Sequence, residues 1–359
     1  MSTITILGLN NNFYGSYSSN QVFFDELMEA FICCGVRVVT ASSLEEAMYH
    51  YETEDISFSI SFSKYKYFLN GIPLYEIYRK MNYQWVSDNP LKMNLDVNSK
   101  WMKYIFIDHE YPLMLDHDSP NGYMFRPLGF LEKNLMESKE KNGRVIIPCK
   151  IRNLNDIYKK INESDESFLM KKFLDQYDRD SSYIKSFSCF VEHENIGNKE
   201  AVFRLTNEYT RVEKRIWAIE HVYELPVDVL SDDCGNSIKN PNVSFRPTVG
   251  YEEIRAVMNS YSFVINVDPN YHSCIHDRFI KAVSSGSICI TNKNELTARI
   301  TPYTYMFSEE NSIMNAINLA EKESAYLVLR KAILSYSWEK SAKMILEDFE
   351  GVTVNEIPN

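Results

Sequence analysis

The chain has 359 residues, of which 45% are hydrophobic and 24% charged, with a formal net charge of -11 and seven cysteines. At about 100–200 residues per domain that length suits two domains, each able to bury a core without disulfides or metals. An acidic chain repels nucleic-acid phosphate, which excludes general polynucleotide binding. The odd cysteine count, with no C-x-x-C pair, argues against a disulfide framework or structural zinc and for a reducing cytoplasm.

The first predicted strand covers residues 3–7, with neither a basic segment nor a long apolar stretch before it, so no leader is expected. No run of about 18 apolar residues predicts a membrane span. A loop, Gly8-Leu9-Asn10-Asn11-Asn12-Phe13-Tyr14-Gly15, follows the strand. Its Gly8, Asn10, Asn11, Tyr14 and Gly15 suit a ligand-facing turn before a helix, although neither G-x-G-x-x-G nor a P-loop is present. Residues 20–34 carry apolar side chains at three- and four-residue steps, and Gly35 stops that helix before a strand over 36–40, which makes a βαβ unit. Further strands are predicted at 56–60, 83–86, 104–107 and 123–125. Asp88 follows the strand at 83–86, and Asp108 and His109 follow the strand at 104–107. A carboxylate or imidazole at the exit of a buried parallel strand can act as a general base, and Asp also caps turns in such places.

Charged and polar residues dominate 132–143, which reads as a linker. Beyond it, strands are predicted at 144–148, 187–191, 227–230, 243–245, 263–267 and 287–291. Helices are predicted at 154–162, 168–177, 201–224, 251–260, 277–285, 312–323 and 337–350. This alternation is the pattern of an α/β fold with parallel sheets, whose ligands sit at the carboxyl ends of the strands. The densest chemistry lies between Asn266 and Gly286. There a loop with Tyr271, His272, Ser273 and His276 leads into a helix opening on Asp277 and Arg278, with Lys281 one turn on. The basic side chains and the helix N-terminus together suit a diphosphate. His272 and His276 lack a third ligand at useful spacing, so no metal is expected.

These motifs resemble those of CgeB-like glycosyltransferases, relatives of the group 1 glycosyltransferase superfamily. The resemblance rests on Tyr251-Glu252-Glu253-Ile254, Ile265-Asn266-Val267-Asp268-Pro269 and the run from Arg278 to Gly286. In the N-terminal half it rests on Trp85-Val86-Ser87-Asp88-Asn89-Pro90, Tyr104-Ile105-Phe106-Ile107-Asp108 and Arg126-Pro127-Leu128-Gly129.

The resemblance implies a GT-B fold, with two Rossmann-like domains whose parallel sheets face a central cleft. Residues 1–138 would bind the acceptor and 139–336 the nucleotide sugar, and the helix in 337–359 would pack back toward the first domain. It implies metal-independent transfer of a sugar from a nucleotide sugar to a hydroxyl of a glycan, lipid-linked glycan or protein. No cofactor would be needed beyond the donor. The expected setting is cytoplasmic, with peripheral membrane association left open. Arg278 would neutralise the diphosphate, Ser273 and His276 would lie beside the sugar or phosphates, and the turn at Gly250 would hold the base. Asp88, Asp108 or His109 would take the acceptor proton. Many relatives carry glutamates where this chain has Ser273 and Lys281. That departure motivates one alternative, a non-catalytic nucleotide- or glycan-binding protein, and the shared architecture leaves a second, a nucleotide-sugar epimerase.

Overall fold

The computed structural model describes residues 4–10, 19–88, 90–93, 95–115, 118–231, 238–251, 253–267, 270, 272–300, 305–308, 311–322 and 325–351. Its backbone contacts divide the chain into two compact units, residues 1–134 with 334–359, and residues 135–333.

In the first unit the elements run β1 (Thr5–Leu9), α1 (Ser19–Cys33), β2 (Arg37–Ala41), α2 (Leu44–Thr53) and β3 (Phe58–Phe62). A short antiparallel hairpin, β4 (Phe68–Leu69) and β5 (Ile72–Pro73), leads into α3 (Leu74–Tyr78). Then come β6 (Asn82–Val86), β7 (Met102–Phe106) and β8 (Tyr123–Phe125). Six strands form one sheet in the order β2-β1-β3-β6-β7-β8, with every pairing parallel. Strands β1, β3 and β6 are buried along their whole length. β1 is largely an apolar run, whereas β3 and β6 alternate apolar residues with the buried Ser59, Ser61, Asn82 and Gln84, and Asn82 is hydrogen-bonded to both serines. The expected loop at Gly8 is corrected, because β1 continues through Gly8 and Leu9. A Cβ on Gly8 would lie 2.6 Å from the Met28 sulfur and 2.9 Å from the Phe24 ring, so this glycine serves the close approach of α1 to the sheet.

The second unit holds β9 (Val145–Ile147), α4 (Leu154–Asn162), α5 (Ser167–Gln176), α6 (Tyr183–His193), α7 (Lys199–Glu220), β10 (Val227–Leu230) and β11 (Val243–Arg246). It continues with α8 (Ile254–Asn259), β12 (Phe263–Asn266), α9 (Asp277–Ser284), β13 (Ile288–Asn292), α10 (Thr297–Ile300), β14 (Met306–Phe307), α11 (Ile313–Lys322) and α12 (Ala325–Ile333). Its sheet runs β11-β10-β9-β12-β13-β14, again parallel throughout. The strand expected at 187–191 is corrected to the middle of α6. Tyr183, Ile184, Phe187 and Phe190 are buried at helical spacing, and the Ser182 hydroxyl caps the Lys185 amide. At the opposite end of the sheet from the carboxyl ends of its strands, buried Asp228 accepts two bonds from Arg144, at 2.7 and 2.8 Å, and one each from Arg246 and Tyr261. Burial opposes ionisation of Asp228, but these hydrogen bonds outweigh it and hold the carboxyl below its usual range.

After α12 the chain adds α13 (Trp338–Phe349) to the first unit. Trp338 is wholly buried there, with its ring centroid 5.1 Å from that of Trp85 and its indole N–H donating to Glu26 at 2.8 Å.

Candidate functional site

In the second sheet the strand order reverses between β9 and β12, so the crevice at their carboxyl ends is where an open parallel sheet takes a ligand. The segment leaving β12 begins with Asn266. Asp268, Pro269 and Tyr271 lie outside the described residues. Asn270 is buried at a φ of 64°, a left-handed conformation that Asn tolerates. Its amide nitrogen donates to the Asn207 side chain at 2.7 Å and to the Thr210 hydroxyl at 2.8 Å, which ties the loop to α7. His272 follows, with its ring nitrogen 3.5 Å from Glu295. The Ser273 hydroxyl donates to the other Glu295 oxygen at 3.1 Å. A carboxylate therefore does reach Ser273, but it comes from the loop after β13 rather than from the position itself.

His276 starts α9. Its Nδ1 lies 3.2 Å from the Arg278 amide and 2.7 Å from the Asp277 carboxylate. Burial pushes the imidazole down to about 4, against the pull of Asp277, and Arg278 and Arg211 push it the same way, so the ring is neutral at pH 7. Burial also opposes ionisation of Asp277, but the contact and hydrogen bond with His276, together with the charges of Arg278 and Lys281, outweigh it and keep this carboxyl well below its usual range.

Arg278 and Lys281, expected to act together, are placed differently. Lys281 is buried, donates to the Tyr251 carbonyl at 3.1 Å and lies over the Tyr251 ring, whose hydroxyl donates to Asp277 at 3.4 Å. Arg278 is half-buried, and its Nη1 is sealed from solvent with no hydrogen-bond partner among the described residues. A buried guanidinium nitrogen without an acceptor costs free energy that a bound anion would recover. Gly250 is buried in the turn before α8. Its carbonyl accepts from the Glu253 and Ile254 amides, and its own amide donates to the Glu253 carboxylate.

Two contributors escaped the sequence reading. Arg211 and Arg215 stand four residues apart on α7, a spacing that puts them on one face. The Arg211 charge is felt at His276. Arg215 is buried and donates to the Lys150 carbonyl at 2.7 Å, just beyond β9. Their spacing was visible, but nothing local told which strand ends they face.

In the first unit, Asp88 is exposed beyond β6, and His109 is exposed with its ring stacked on Phe125 at 4.3 Å. Asp108 is fully buried, and its carboxylate accepts from the Glu110 amide at 2.8 Å, the turn-capping role open to Asp. Asn10 follows β1 and donates its amide to the Ala41 carbonyl at 2.8 Å. Asn11, Tyr14 and Gly15 lie outside the described residues. Ser63, at a φ of 57°, joins Asn20 and Ser87 in a hydrogen-bonded trio with contacts of 3.1–3.3 Å at the carboxyl ends of β3 and β6.

Among the described residues, no group of three or more His, Cys, Asp or Glu side chains is arranged to hold a metal ion. Among the same residues no helix is long and apolar enough to cross a membrane.

No protein-family model and no curated protein matches the sequence. Solved structures do match the fold. The UDP-glucose complex of T4 phage beta-glucosyltransferase aligns with a TM-score of 0.58 at 10% identity, over 97% of this chain and 99% of that one. A complex of the same phage enzyme with UDP and Mn2+ aligns with a TM-score of 0.55 at 10% identity, over the same shares of the two chains. Sucrose-phosphate synthase from Thermosynechococcus elongatus aligns with a TM-score of 0.55 at 9% identity, over 97% of this chain and 99% of that one. Two all-parallel six-stranded sheets in two units, together with these likenesses across nearly the whole chain, assign the protein the GT-B fold of nucleotide-sugar glycosyltransferases.

Proposed function

We propose that this protein is a glycosyltransferase, as the CgeB-like resemblance suggests, that moves a sugar from a nucleotide sugar to a hydroxyl. The observation that carries this reading is the Arg278 guanidinium at the first turn of α9, beside the carboxyl end of β12, with a buried nitrogen that has no acceptor among the described residues. That is where a nucleoside diphosphate would sit. The bond from sugar carbon to phosphate oxygen breaks, and its electron pair leaves with the nucleotide. Arg278, Arg211 and the amides opening α9 oppose the charge that grows on the phosphate. The acceptor oxygen bonds to the sugar carbon and loses its proton to a base. Asp88 and His109 are the exposed candidates for that base, and Asp108 is buried as a turn cap. The acceptor is a glycan, lipid-linked glycan or protein. No metal takes part in this proposal. The solved UDP complex with Mn2+ makes that point worth testing directly.

The engagement of Lys281 with Tyr251 favours a second reading, in which the protein binds nucleotide or glycan without transfer. One experiment separates the two. Nucleoside diphosphates are titrated by calorimetry, and a panel of nucleotide sugars is incubated with and without acceptors and read by mass spectrometry. Arg278→Ala should weaken diphosphate binding by about tenfold or more with the fold intact by circular dichroism. Wild-type affinity in that variant would remove the phosphate role. Binding without turnover of any donor would favour the second reading.

A further inference from the structure

The second unit contains a pocket beside the diphosphate crevice whose composition differs from that of the protein at large. It lies at the carboxyl ends of β12, β13 and β14 and is walled by α7 and by the turn between α5 and α6. The chain carries a formal charge of -11, yet the described residues lining this pocket include Arg179, Lys214 and Lys293, with His272 beside them and Asp180 as the one carboxylate among them. Lys214 is buried and donates to the Tyr177 hydroxyl at 2.8 Å. The Arg179 Nε is sealed from solvent with no hydrogen-bond partner among the described residues. Asn270 is 5% exposed, and with its nitrogen committed to α7, its oxygen is likewise buried without a partner among those residues.

An aromatic surface completes the wall. The Trp217 and Phe307 rings stack with centroids 5.9 Å apart, and the Arg179 guanidinium lies 5.6 Å from the centroid of Trp217. Three features thus meet in one place: clustered cations, a flat apolar face, and a buried amide oxygen able to accept from a hydroxyl. A phosphate alone would use only the first. A sugar ring bearing a carboxylate uses all three, with its C–H face on the aromatic wall, a hydroxyl toward Asn270 and the carboxylate among the cations.

Asn270 and His272 belong to the same loop that leads into α9. The pocket therefore borders the segment that carries Arg278, and on the proposed reading a ligand with its phosphates at Arg278 would reach into it. We infer that the pocket receives the transferred sugar and selects an acidic, uronate-type donor. This rests on the nucleotide-sugar reading proposed above. The carboxylate would be met by Arg179 and Lys293, whereas Lys281 and Lys214 are held by Tyr251 and Tyr177.

The test uses the full chain and two ligands that differ only in a hydroxymethyl against a carboxylate, UDP-glucose and UDP-glucuronate, with UDP as the reference. UDP-glucuronate should bind about tenfold more tightly than UDP-glucose, the size of effect a charged hydrogen bond supplies. Lys293→Ala, at an exposed position, and Arg179→Gln should each collapse that ratio toward one while leaving UDP affinity unchanged. A ratio near one in the natural protein, or a preference that survives both substitutions, overturns the inference. Failure of the underlying reading shows separately, as UDP that does not bind or that binds independently of Arg278. In that case saturation-transfer NMR with free glucuronate and free glucose still decides the pocket. A glucuronate signal lost in Lys293→Ala supports it, and equal signals from the two sugars overturn it.

Discussion

His276 is a buried imidazole with one nitrogen facing two partners. A hydrogen on Nδ1 would be donated to Asp277 at 2.7 Å, and a lone pair there would accept from the Arg278 amide at 3.2 Å. The second arrangement needs a neutral ring, and burial supplies one by pushing the imidazole down to about 4. The sign of the linkage follows. The unfolded chain takes up the proton near the ordinary histidine value of about 6.5, before the folded protein does. The resulting stabilisation is complete above about 6.5 and is lost as pH falls toward about 4. His276→Asn keeps a capping acceptor and removes the titration, so its stability, measured by denaturant melts across this window, should vary less steeply with pH than that of the natural protein. Lys281 makes the complementary point. Its residue type and spacing suggested a phosphate contact, but the ammonium is held by the Tyr251 carbonyl and ring. Spacing along a helix tells which side chains share a face, not what lies opposite.

At the scale of elements, α13 is held to the first unit by a clamp that its own pattern does not reveal. The Trp338 amide donates to the Phe130 carbonyl at 2.9 Å. Arg126, wholly enclosed, donates to the Ser341 hydroxyl at 2.9 Å and to the Ser335 carbonyl, and burial pushes its guanidinium down to about 10, still protonated at neutral pH. Gly129 completes the clamp, since a Cβ there would lie 2.8 Å from the Tyr336 carbonyl oxygen and 2.9 Å from the Trp338 ring. Gly129→Ala should therefore cost about 1–3 kcal/mol through overpacking against backbone. Trp338→Ala should cost about 3–5 kcal/mol through the cavity it leaves. Urea unfolding of both variants checks the order, and a neutral Gly129→Ala would show that the clamp yields. The amphipathic stripe of α13 was legible, as were the boundaries of α4 and β10, because each is a strong local pattern. The stretch 187–191 was misread because a short run such as Phe187-Ser188-Cys189-Phe190-Val191 fits both periods. Its helical answer depends on Tyr183 one turn earlier, which together with Phe187 packs on Phe203 of α7.

For the whole molecule, the proposed nucleotide site predicts stabilisation by a nucleoside diphosphate without added metal. A nucleoside diphosphate at one hundred times its Kd should add about 2.7 kcal/mol to the stability of the unit that binds it, seen as a raised melting transition in calorimetry. That shift, and any sugar transfer, should persist in EDTA. Loss of both on chelation, with recovery on adding Mn2+, would overturn the metal-independent proposal.

The sequence by itself determined the alternation of buried strands and amphipathic helices, and hence an α/β chain of parallel sheets. Those signals come from burial of side chains a few residues apart. It also singled out the loop running from β12 into α9, where polar and basic residues cluster between apolar ones. Only the tertiary structure decided the partners across long separations. It took Lys281 to Tyr251, brought Glu295 to Ser273, buried Asp108 as a turn cap, and gathered Arg179, Lys214 and Lys293 into one cationic pocket. Such meetings depend on strand order and on the path of α7 across the sheet's carboxyl ends, which no local period encodes.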